Sequence, residues 1–257
     1  MYLGDNLLKQ GVQGFVDTFE KKALDCLVAV CPVKDPTRFG IAELGSGGEI
    51  VRLVEKPKEP KSNLALIGVY VFGPSIFDAV RKIKPSGRGE LEITDAIQML
   101  VSDGKKVDVE KVNGWWKDTG KPEDLLEANQ LVLSDLRESV TEDLGQEAEA
   151  TGQISVGRGF RVLGKVKIRG PVVVGNNTLI GPDAYIGPYT SIGNDCTLKN
   201  IEIENSIVMN GTRIEGGRSN KRIVDSLIGD NCTILDGDSA VPKGYKLIIG
   251  ERSYAQI

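Results

Sequence analysis

The stretch Gly114–Gly120 (GWWKDTG) is the part of the sequence whose residue types are best suited to chemistry. Trp115 and Trp116, the only two tryptophans in the chain, can shield the Asp118 carboxylate from water. A shielded carboxylate binds a cation or titrates with a shifted pKa, and the flanking glycines let the backbone come close to a ligand. Taken alone, the heptapeptide favours a plainer interpretation, in which both tryptophans are core residues and Asp118 caps a helix beginning near Pro122.

The composition limits which reactions a site of this kind can perform. The 257 residues include no histidine, which excludes Ser-His and Cys-His nucleophilic chemistry and every mechanism that needs an imidazole base. The four cysteines have none of the close spacings of zinc sites, and we interpret them as buried thiols. The groups that remain available for catalysis are carboxylates, lysines, backbone amides and a bound metal ion.

The charge pattern and the apolar content limit the classes of partner and the cellular location that the sequence predicts. The chain carries 32 basic and 36 acidic residues, a net charge of -4, with no long block of either sign. This balance argues against a nucleic-acid or membrane-surface partner. No apolar run has the length needed to span a bilayer, and the start Met1–Asp5 lacks the residue order of a signal peptide. The sequence therefore predicts a cytoplasmic protein.

The first half of the chain must position Asp118, and its pattern predicts an α/β domain. Strands are predicted at Cys26–Val33, Ile41–Leu44, Ile50–Glu55, Asn63–Phe72 and Lys106–Val112, and helices at Leu7–Leu24, Pro74–Ile83, Glu92–Ser102 and Pro122–Arg137. Near-continuous apolar strands are typical of a mostly parallel sheet. Gly68 interrupts one of these strands, which predicts that another group approaches it closely.

The second half of the chain has a period of six residues. Aliphatic residues occupy every sixth position, at Val156, Val162, Ile168, Val174, Ile180, Ile186, Ile192 and Leu198. Glycine follows directly at 157, 175, 181, 187 and 193, and a small residue stands four places after the aliphatic one at Thr178, Ala184, Thr190 and Cys196. This pattern is the signature of a hexapeptide β-helix, in which neighbouring coils bury each other's edges.

The register of the repeat is lost between Lys199 and Arg222, which predicts a longer loop, and it returns at Ile228. Cys196 and Cys232 then hold equivalent positions 36 residues apart. With three hexads per coil, the two cysteines are expected to lie two coils apart, about 9 to 10 Å at one strand spacing per coil. That separation is too large for a disulfide.

Five segments of the first half carry a resemblance to a known family. They read YLGDN at residues 2–6, DPTRFGIAEL at 35–44, VEKPKEPKSNLALIGVYVF at 54–72, GELEITDAI at 89–97 and GWWKDTGKPEDLLEAN at 114–129. With the hexapeptide repeat, they resemble the long form of glucose-1-phosphate thymidylyltransferase, a sugar-nucleotide pyrophosphorylase of the nucleotidylyltransferase superfamily. The resemblance implies an N-terminally truncated, Rossmann-like α/β nucleotidyltransferase domain followed by a left-handed hexapeptide-repeat β-helix.

The reaction that the resemblance implies joins two polyanions. An oxygen of glucose 1-phosphate attacks the α-phosphorus of dTTP, which gives dTDP-glucose and pyrophosphate. Mg²⁺ and positioned lysines would supply most of the electrostatic stabilisation. The two metal-holding aspartates of the family match Asp5 and Asp118, and Asn6 lies beside the first. An all-oxygen site with few carboxylates and added substrate phosphates is the kind that Mg²⁺ prefers.

The sugar-phosphate site of the family matches a second group of residues. Glu55 would accept hydrogen bonds from glucose hydroxyls, and Lys56 would hold the 1-phosphate and act electrostatically in catalysis. The remaining matches are Gly40, Leu66 through its backbone, Tyr70 and, near the phosphate, Arg88. Without the resemblance, Glu55 and Lys56 would be interpreted as a solvated pair at a strand end.

One family feature does not occur in the sequence. The glycine-rich signature GGxGTRLxPxT followed by a lysine, which in the family cradles the nucleoside triphosphate, is not found in these 257 residues. Tyr2–Asn6 have the pattern of a strand end without a strand body before it. We therefore expect the sequence to begin within the domain, about three βαβ units into the family pattern, and the chain by itself to be weakly active or inactive.

The resemblance also implies a domain organisation. Residues 1–138 would form the sugar-binding part of the nucleotidyltransferase domain, 139–152 a linker, 153–250 the hexapeptide β-helix and 251–257 a C-terminal tail. Subunits would associate as a homo-oligomer through the β-helix.

Three other functions stay open. The chain could be a non-catalytic scaffold or regulatory subunit that keeps a vestigial sugar site. It could be a pyrophosphorylase for another nucleotide or another hexose, because the family reads the base with the glycine-rich segment. The β-helix could be an acyltransferase, although such domains typically use a histidine base and this chain has none.

Overall fold

The computed structural model describes residues 1–136, 144, 148–217 and 221–236, which form two compact units. Unit 1 is Met1–Gly120 and unit 2 is Lys121–Ile257. Within the described ranges, no helix combines the length and the apolar character that crossing a membrane requires.

The division into units differs in position from the predicted domains. The helix that follows Gly120 is predicted to be part of the first domain, and in the structure it is grouped with unit 2. The predicted linker 139–152 falls largely outside the described residues, but its residues Ala148–Thr151 form a strand of the β-helix. The predicted tail 251–257 lies outside the described residues. The functional domain boundaries stay a prediction.

Unit 1 contains a central sheet, a two-stranded ribbon and three α-helices. In chain order its elements are β1 Asn6–Leu8, α1 Gln13–Lys22, β2 Cys26–Pro32, β3 Gly40–Leu44, β4 Ile50–Glu55, β5 Leu64–Phe72, α2 Ile76–Lys82, α3 Ile93–Ser102, β6 Val107–Lys111 and β7 Trp116–Asp118. The central sheet has the strand order β4-β3-β5-β2-β6, and β1 pairs with β7. A short 3₁₀ helix at Pro36–Arg38 precedes β3.

The central sheet is mainly antiparallel, so the prediction of a mostly parallel sheet is wrong for the described strands. Only β2 and β6 pair in parallel, whereas β2–β5, β3–β4 and β3–β5 are antiparallel. The apolar runs that suggested parallel strands arise because β2 and β5 are covered on both faces. One face packs on α2 and α3, and the other packs on α1 around Phe15.

The N-terminal helix begins later than predicted. Residues Leu7–Leu24 were expected to be helical, but β1 and a turn occupy the first part and α1 starts at Gln13. Lys9 and Trp115 continue the β1–β7 ribbon through a backbone hydrogen bond of 3.2 Å, from the Lys9 amide to the Trp115 carbonyl. Pairing with a distant strand therefore overrides the local helical pattern.

Unit 2 begins with α4, Pro122–Ser134, and continues as a parallel β-helix. Its strands are β8 Ala148–Thr151, β9 Ile154–Val156, β10 Arg161–Val162, β11 Val166–Arg169, β12 Val172–Val174, β13 Leu179–Ile180, β14 Ala184–Ile186, β15 Thr190–Ile192, β16 Thr197–Lys199, β17 Ile201–Glu204, β18 Ile207–Val208, β19 Arg213–Glu215, β20 Lys221–Val224, β21 Leu227–Ile228 and β22 Thr233–Leu235. They form three five-stranded sheets around one apolar core that includes seven of the eight predicted aliphatic positions. The hexapeptide prediction is confirmed.

The loss of register after Lys199 has a different cause from the one predicted. Strands β17, β18 and β19 continue through the segment that was expected to be a longer loop. Hydrogen-bond partners in successive coils are 18 residues apart at Asn176 and Asn194, then 16 apart at Asn194 and Asn210, then 20 apart at Asn210 and Asp230. A short coil followed by a long one restores the original phase, and residues 218–220 of the long coil lie outside the described part.

The two-coil separation of Cys196 and Cys232 is confirmed, and both thiols are free. Thr212 lies between them in the column, and its hydroxyl accepts a hydrogen bond of 3.3 Å from the Cys232 amide. Thr178 accepts one of 3.1 Å from the Cys196 amide in the same way. Burial raises the pKa of the Cys196 thiol, as expected for a structural cysteine.

The glycines that follow the aliphatic residues allow the coils to stack. A Cβ atom on Gly175 would lie 2.6 Å from the backbone nitrogen of Asn194 in the next coil, whereas a Cβ on Gly14 in helix α1 would meet nothing within 4 Å. We expect Gly175→Ala to lower the free energy of unfolding by about 2 kcal/mol, because the coils must shift apart. Chemical denaturation should show no loss for Gly14→Ala, where alanine also favours the helix, and equal losses for the two variants would contradict this explanation.

Helix α4 is anchored to the β-helix by polar side chains. The Asn129 side chain donates to the Tyr189 carbonyl at 2.8 Å and accepts from the Ser191 hydroxyl at 2.6 Å. The Gln130 amide donates to Asn205 Oδ1 at 2.7 Å. These bonds explain why α4 belongs to unit 2.

Candidate active site

Asp5 and Asp118, the predicted metal ligands, lie on neighbouring backbone segments of the β1–β7 ribbon. Asn6 and Asp118 are paired residues, so their side chains share one face of the ribbon. The amide and the hydroxyl of Thr119 both donate to the Asp5 carbonyl, at 2.8 and 2.9 Å. Residues more than a hundred positions apart in the chain are thereby held one strand spacing apart.

Asn6 orients the Asp5 carboxylate and is itself held by three contacts. Its side-chain amide donates to Asp5 Oδ1 at 2.8 Å, and its Oδ1 accepts from the Trp116 indole at 2.7 Å. The Tyr2 hydroxyl donates to the Asn6 carbonyl at 2.6 Å. Asn6 is buried, and these contacts fix its side chain beside Asp5; its predicted role in substrate binding stays a prediction.

In the plainer interpretation of the Trp-Asp segment, the capping role of Asp118 is wrong, whereas Trp116 does pack against a core cluster. The N-cap of α4 is Lys121, whose amide donates to Asp124 in a capping box, and Asp118 belongs to β7. Trp116 packs against the α1 side of the sheet and meets the Phe39 ring edge-on at 5.6 Å. This ring contact joins the ribbon to the segment that enters β3.

The predicted close approach at Gly68 is confirmed, and the approaching group is the N-terminal segment. A Cβ atom on Gly68 would lie 2.7 Å from Asn6 Nδ2 and from the Leu3 side chain. The Leu3 amide donates to the Gly68 carbonyl at 2.8 Å. The pairing of β5 with β2 is irregular between Val28 and Val30, beside Gly68, and such bulges often redirect strands next to a site.

Glu55 is held at the end of β4 by a buried threonine. The Thr94 hydroxyl donates to Glu55 Oε2 at 2.6 Å, and Thr94 is 1% exposed. Gly40 is paired with Glu55 in the sheet. A Cβ at Gly40 would lie 2.9 Å from both oxygens of this hydrogen bond, so only glycine leaves room for it.

Arg88 lies among three carboxylates. Its guanidinium is 2.8 Å from Glu90 and 3.7 Å from both Glu55 and Glu92. Glu92 is also fixed by the Ser86 hydroxyl at 2.9 Å. Arg88 therefore faces the same Glu55 carboxylate that Thr94 holds from the other side.

Lys56 adopts an unusual backbone conformation. Its φ angle is 40°, in the left-handed region that favours glycine, and its amide donates to the Phe39 carbonyl at 3.0 Å. A non-glycine residue in this region costs about 1 to 3 kcal/mol and is often found at functional sites. The strain redirects the chain immediately after Glu55.

Leu66 and Tyr70 complete the predicted sugar site on β5. Both are buried and pack on the α2–α3 side of the sheet. Burial first, and then the nearby Glu55 carboxylate, raises the pKa of the Tyr70 hydroxyl. Tyr70 stays neutral at physiological pH and can act as a hydrogen-bond donor.

Two residues of this region were not predicted from the sequence. Thr94 lies in one of the family-like segments and Thr119 in the Trp-Asp segment, but the sequence assigned neither of them a role. A buried threonine at the first turn of a helix and a threonine beside a strand-end aspartate are both common. Neither has a sequence signal that separates positioning of a carboxylate from ordinary packing.

The two aspartates fit a magnesium ion as far as their chemistry is concerned. Asp5 and Asp118 offer carboxylate oxygens, the ligands that Mg²⁺ takes from proteins, and Asn6 already orients one of them. In the described part of the chain, no cluster contains three or more acidic or cysteine residues arranged for a metal. A two-carboxylate site suits Mg²⁺, which usually completes its shell with substrate phosphates and water.

Comparison with known proteins assigns the chain to a family. Residues 1–135 match the family model described as Nucleotidyl transferase. The chain belongs to the nucleotidyl transferase family. Residues 168–243 of this nucleotidyltransferase match a second model, described as the GMPPB C-terminal domain.

Three relatives of this nucleotidyltransferase extend over its whole length. It is 45% identical to the low-salt glycan biosynthesis nucleotidyltransferase Agl11 of Haloferax volcanii. It is 42% and 40% identical to glucose-1-phosphate thymidylyltransferases of Streptomyces antibioticus and Streptomyces griseus. Each match covers 100% of this chain and 71% of the relative. The protein is thus a nucleotidyltransferase of sugar-nucleotide biosynthesis, a family whose substrates are a sugar phosphate and a nucleoside triphosphate.

Proposed function

We propose that the protein contributes the sugar-phosphate and magnesium site of a glucose-1-phosphate thymidylyltransferase. The observation that carries the proposal is the pairing of the ribbon that bears Asp5 and Asp118 beside the strand end that bears Glu55 and Lys56, with the Phe39–Trp116 contact joining the two. Identity of 40% and 42% to two thymidylyltransferases supports the choice of dTTP and glucose 1-phosphate.

In this proposal, Glu55 recognises the sugar. Thr94 occupies Oε2, which leaves Oε1 to accept hydrogen bonds from glucose hydroxyls. Arg88 is 3.7 Å from the same Oε1 and can turn from the carboxylates to the incoming phosphate. The Tyr70 hydroxyl, kept neutral by its raised pKa, is available to donate, and the backbone of Leu66 lines the pocket.

Lys56 holds the 1-phosphate for attack. Its ammonium group neutralises the nucleophilic phosphate as it approaches the triphosphate. A glucose 1-phosphate oxygen forms the new bond to the α-phosphorus of dTTP, the bond between that phosphorus and the bridging oxygen breaks, and pyrophosphate leaves. Asp5 and Asp118 would hold the magnesium ion, which when bound supplies positive charge to the phosphates. The proposed location is the cytoplasm.

Removing the Thr94 hydroxyl should weaken sugar binding without dismantling the site. We expect Thr94→Val to raise the dissociation constant of glucose 1-phosphate about tenfold, because Glu55 loses its donor and is no longer fixed. Thr94→Ser keeps the hydroxyl and should bind as the wild type does. Isothermal titration measures the dissociation constant of glucose 1-phosphate for both variants, and thermal melts show whether each is folded. If the Thr94→Val and Thr94→Ser variants bound glucose 1-phosphate equally well, Thr94 would have no role in sugar binding.

A second candidate is a pyrophosphorylase for another nucleotide or hexose. This candidate is supported by the 45% identity to the Haloferax nucleotidyltransferase. The name of that relative specifies neither the base nor the sugar. The non-catalytic alternative requires that no pair of substrates reacts.

The test is pyrophosphate release in the presence of Mg²⁺. The 257-residue chain and a chain extended upstream would be assayed with dTTP, UTP, GTP, CTP or ATP, each with glucose 1-phosphate and with other hexose 1-phosphates. The proposal predicts the highest rate with dTTP and glucose 1-phosphate in the extended chain. A higher rate with another pair would support the second candidate, and no release by the extended chain with any pair would leave only a non-catalytic role.

A further inference from the structure

Asparagine is followed directly by glycine at two places in the sequence, Asn113–Gly114 and Asn210–Gly211. In such a pair, the backbone nitrogen of the glycine can attack the side-chain amide of the asparagine, because glycine has no Cβ atom to obstruct the approach. This reaction makes asparagine a thermolabile residue. The first pair lies between β6 and β7, and the second lies between β18 and β19.

The pair in the β-helix is held by hydrogen bonds to the neighbouring coils. The Gly211 amide, which would have to attack, donates to the Asn194 carbonyl at 2.9 Å. The Asn210 side chain accepts from the Asn194 amide at 2.8 Å, and the Asn210 amide donates to Asp230 at 2.9 Å. Both the attacking nitrogen and the amide group under attack are therefore fixed in other contacts.

The pair before β7 has no such restraint. The Asn113 backbone amide donates to Gln10 Oε1 at 2.7 Å, which leaves its side chain unused. In the part of the chain that the structure describes, neither the Asn113 side chain nor the Gly114 amide forms a hydrogen bond. Asn113 and Asn210 are both exposed, so hydrogen bonding rather than accessibility distinguishes the two pairs.

We propose that Asn113 is a site of spontaneous modification, at which the folded protein deamidates, and that Asn210 is protected. The Gly114 nitrogen loses its proton to hydroxide and forms a bond to Asn113 Cγ. The bond between Cγ and Nδ2 then breaks, and the amide nitrogen leaves as ammonia with a proton taken from water. The product is a succinimide ring that includes the Gly114 nitrogen.

Water completes the reaction by opening the ring. Addition of water at Cγ gives aspartate at position 113, whereas addition at the main-chain carbonyl gives isoaspartate, whose peptide bond to Gly114 runs through Cγ. The net change exchanges one water molecule for one ammonia molecule, and nothing is oxidised or reduced. Both products carry a negative charge that asparagine lacks.

The modified residue lies in a short connection between two anchored positions. On one side, the Val112 amide donates to the Val30 carbonyl at 3.0 Å, and on the other, the Trp115 carbonyl accepts from the Lys9 amide at 3.2 Å. Isoaspartate adds a methylene group to the main chain between these anchors, whereas aspartate adds only charge. We therefore expect isoaspartate, but not aspartate, to loosen the pairing of β7 with β1.

Mass spectrometry after timed incubation of the folded chain tests the proposal. Peptides that contain each asparagine are analysed for conversion of amide to acid, and chromatography separates the aspartate and isoaspartate forms. Asn113 should convert at least about tenfold faster than Asn210, because hydrogen bonds must open before Gly211 can attack. The rate at Asn113 should increase with pH, since the Gly114 amide must lose its proton. In denaturant, which removes the restraint on Asn210, the two rates should be similar.

Two variants test the structural consequence, measured as hydrogen exchange of the Lys9 amide. Asn113→Gln has a longer side chain that cyclises much more slowly, and Asn113→Asp reproduces one product; both should keep the Lys9 amide protected. Incubated wild-type protein should lose this protection in proportion to its isoaspartate content. Unchanged protection in the isoaspartate form would overturn the expected loosening.

The proposal itself fails if Asn113 and Asn210 convert equally fast in the folded chain, or if Asn113 converts only in denaturant. It is independent of the proposed reaction, because conversion is measured without substrates.

Discussion

In the chain extended upstream, Asp118→Asn is expected to lower the rate of pyrophosphate release about a thousandfold, equivalent to about 4 kcal/mol of transition-state stabilisation. Asparagine keeps the size of the side chain and the pairing of β7 with β1 at Asn6. It removes the negative charge that a magnesium ion needs from this strand. The melting temperature should therefore change little while the reaction is lost.

The matched control is Asp103→Asn, which makes the same chemical change at an exposed position after α3. It should leave the rate and the melting temperature close to those of the wild type. Raising the Mg²⁺ concentration should recover part of the Asp118→Asn activity if the defect is metal affinity. A variant as active as the wild type at limiting Mg²⁺ would exclude Asp118 from the metal site.

Lys56→Gly is expected to change stability and substrate binding in opposite directions. Lys56 is exposed and has a φ angle of 40°, so glycine relieves backbone strain of about 1 to 2 kcal/mol and costs about 0.5 to 1 kcal/mol in unfolded-chain entropy. The free energy of unfolding should rise by about 0.5 to 1 kcal/mol. Loss of the ammonium group should weaken glucose 1-phosphate binding about a hundredfold.

Ala23→Gly separates these two effects. Ala23 is also exposed, has a φ angle of 48° and ends α1 in a left-handed cap. Glycine there should stabilise the protein by a similar amount and leave glucose 1-phosphate binding unchanged. Denaturation and isothermal titration on both variants give the comparison. Binding by Lys56→Gly at wild-type affinity would show that the lysine does not hold the phosphate.

The repeat half of the fold was largely predictable, because a six-residue period imposes the same environment on Val156, Ile168 and their successors. The length of individual coils was not predictable. The coil between Asn194 and Asn210 is short by two residues and the next is long by two, and a period alone cannot distinguish this compensation from an inserted loop. Whether β2 and β5 are parallel or antiparallel was also not predictable, because burial on both faces produces the same apolar run in both arrangements.

The candidate site was predictable only through the resemblance. Nothing in the spacing of Asp5 and Asp118 indicates that β1 and β7 pair, since each strand has three residues and the local pattern around Leu7 favours a helix. Gly68 had a physical reason, close approach, but not a known neighbour, and Gly40 was predicted only from the family match. The structure supplies those neighbours as Glu55 with Thr94, and Asn6 with Leu3.

The central claim is that Asp5 and Asp118 form one metal site beside the sugar-phosphate site, and paramagnetic Mn²⁺ tests it directly. Trp115 and Trp116 are the only tryptophans and lie within three residues of Asp118, so their two indole N–H resonances report on the surroundings of this carboxylate. With glucose 1-phosphate present, substoichiometric Mn²⁺ should broaden both resonances in the wild type and neither in Asp118→Asn. Indole signals that stay sharp in the wild type, or that broaden equally in the variant, would contradict the claim.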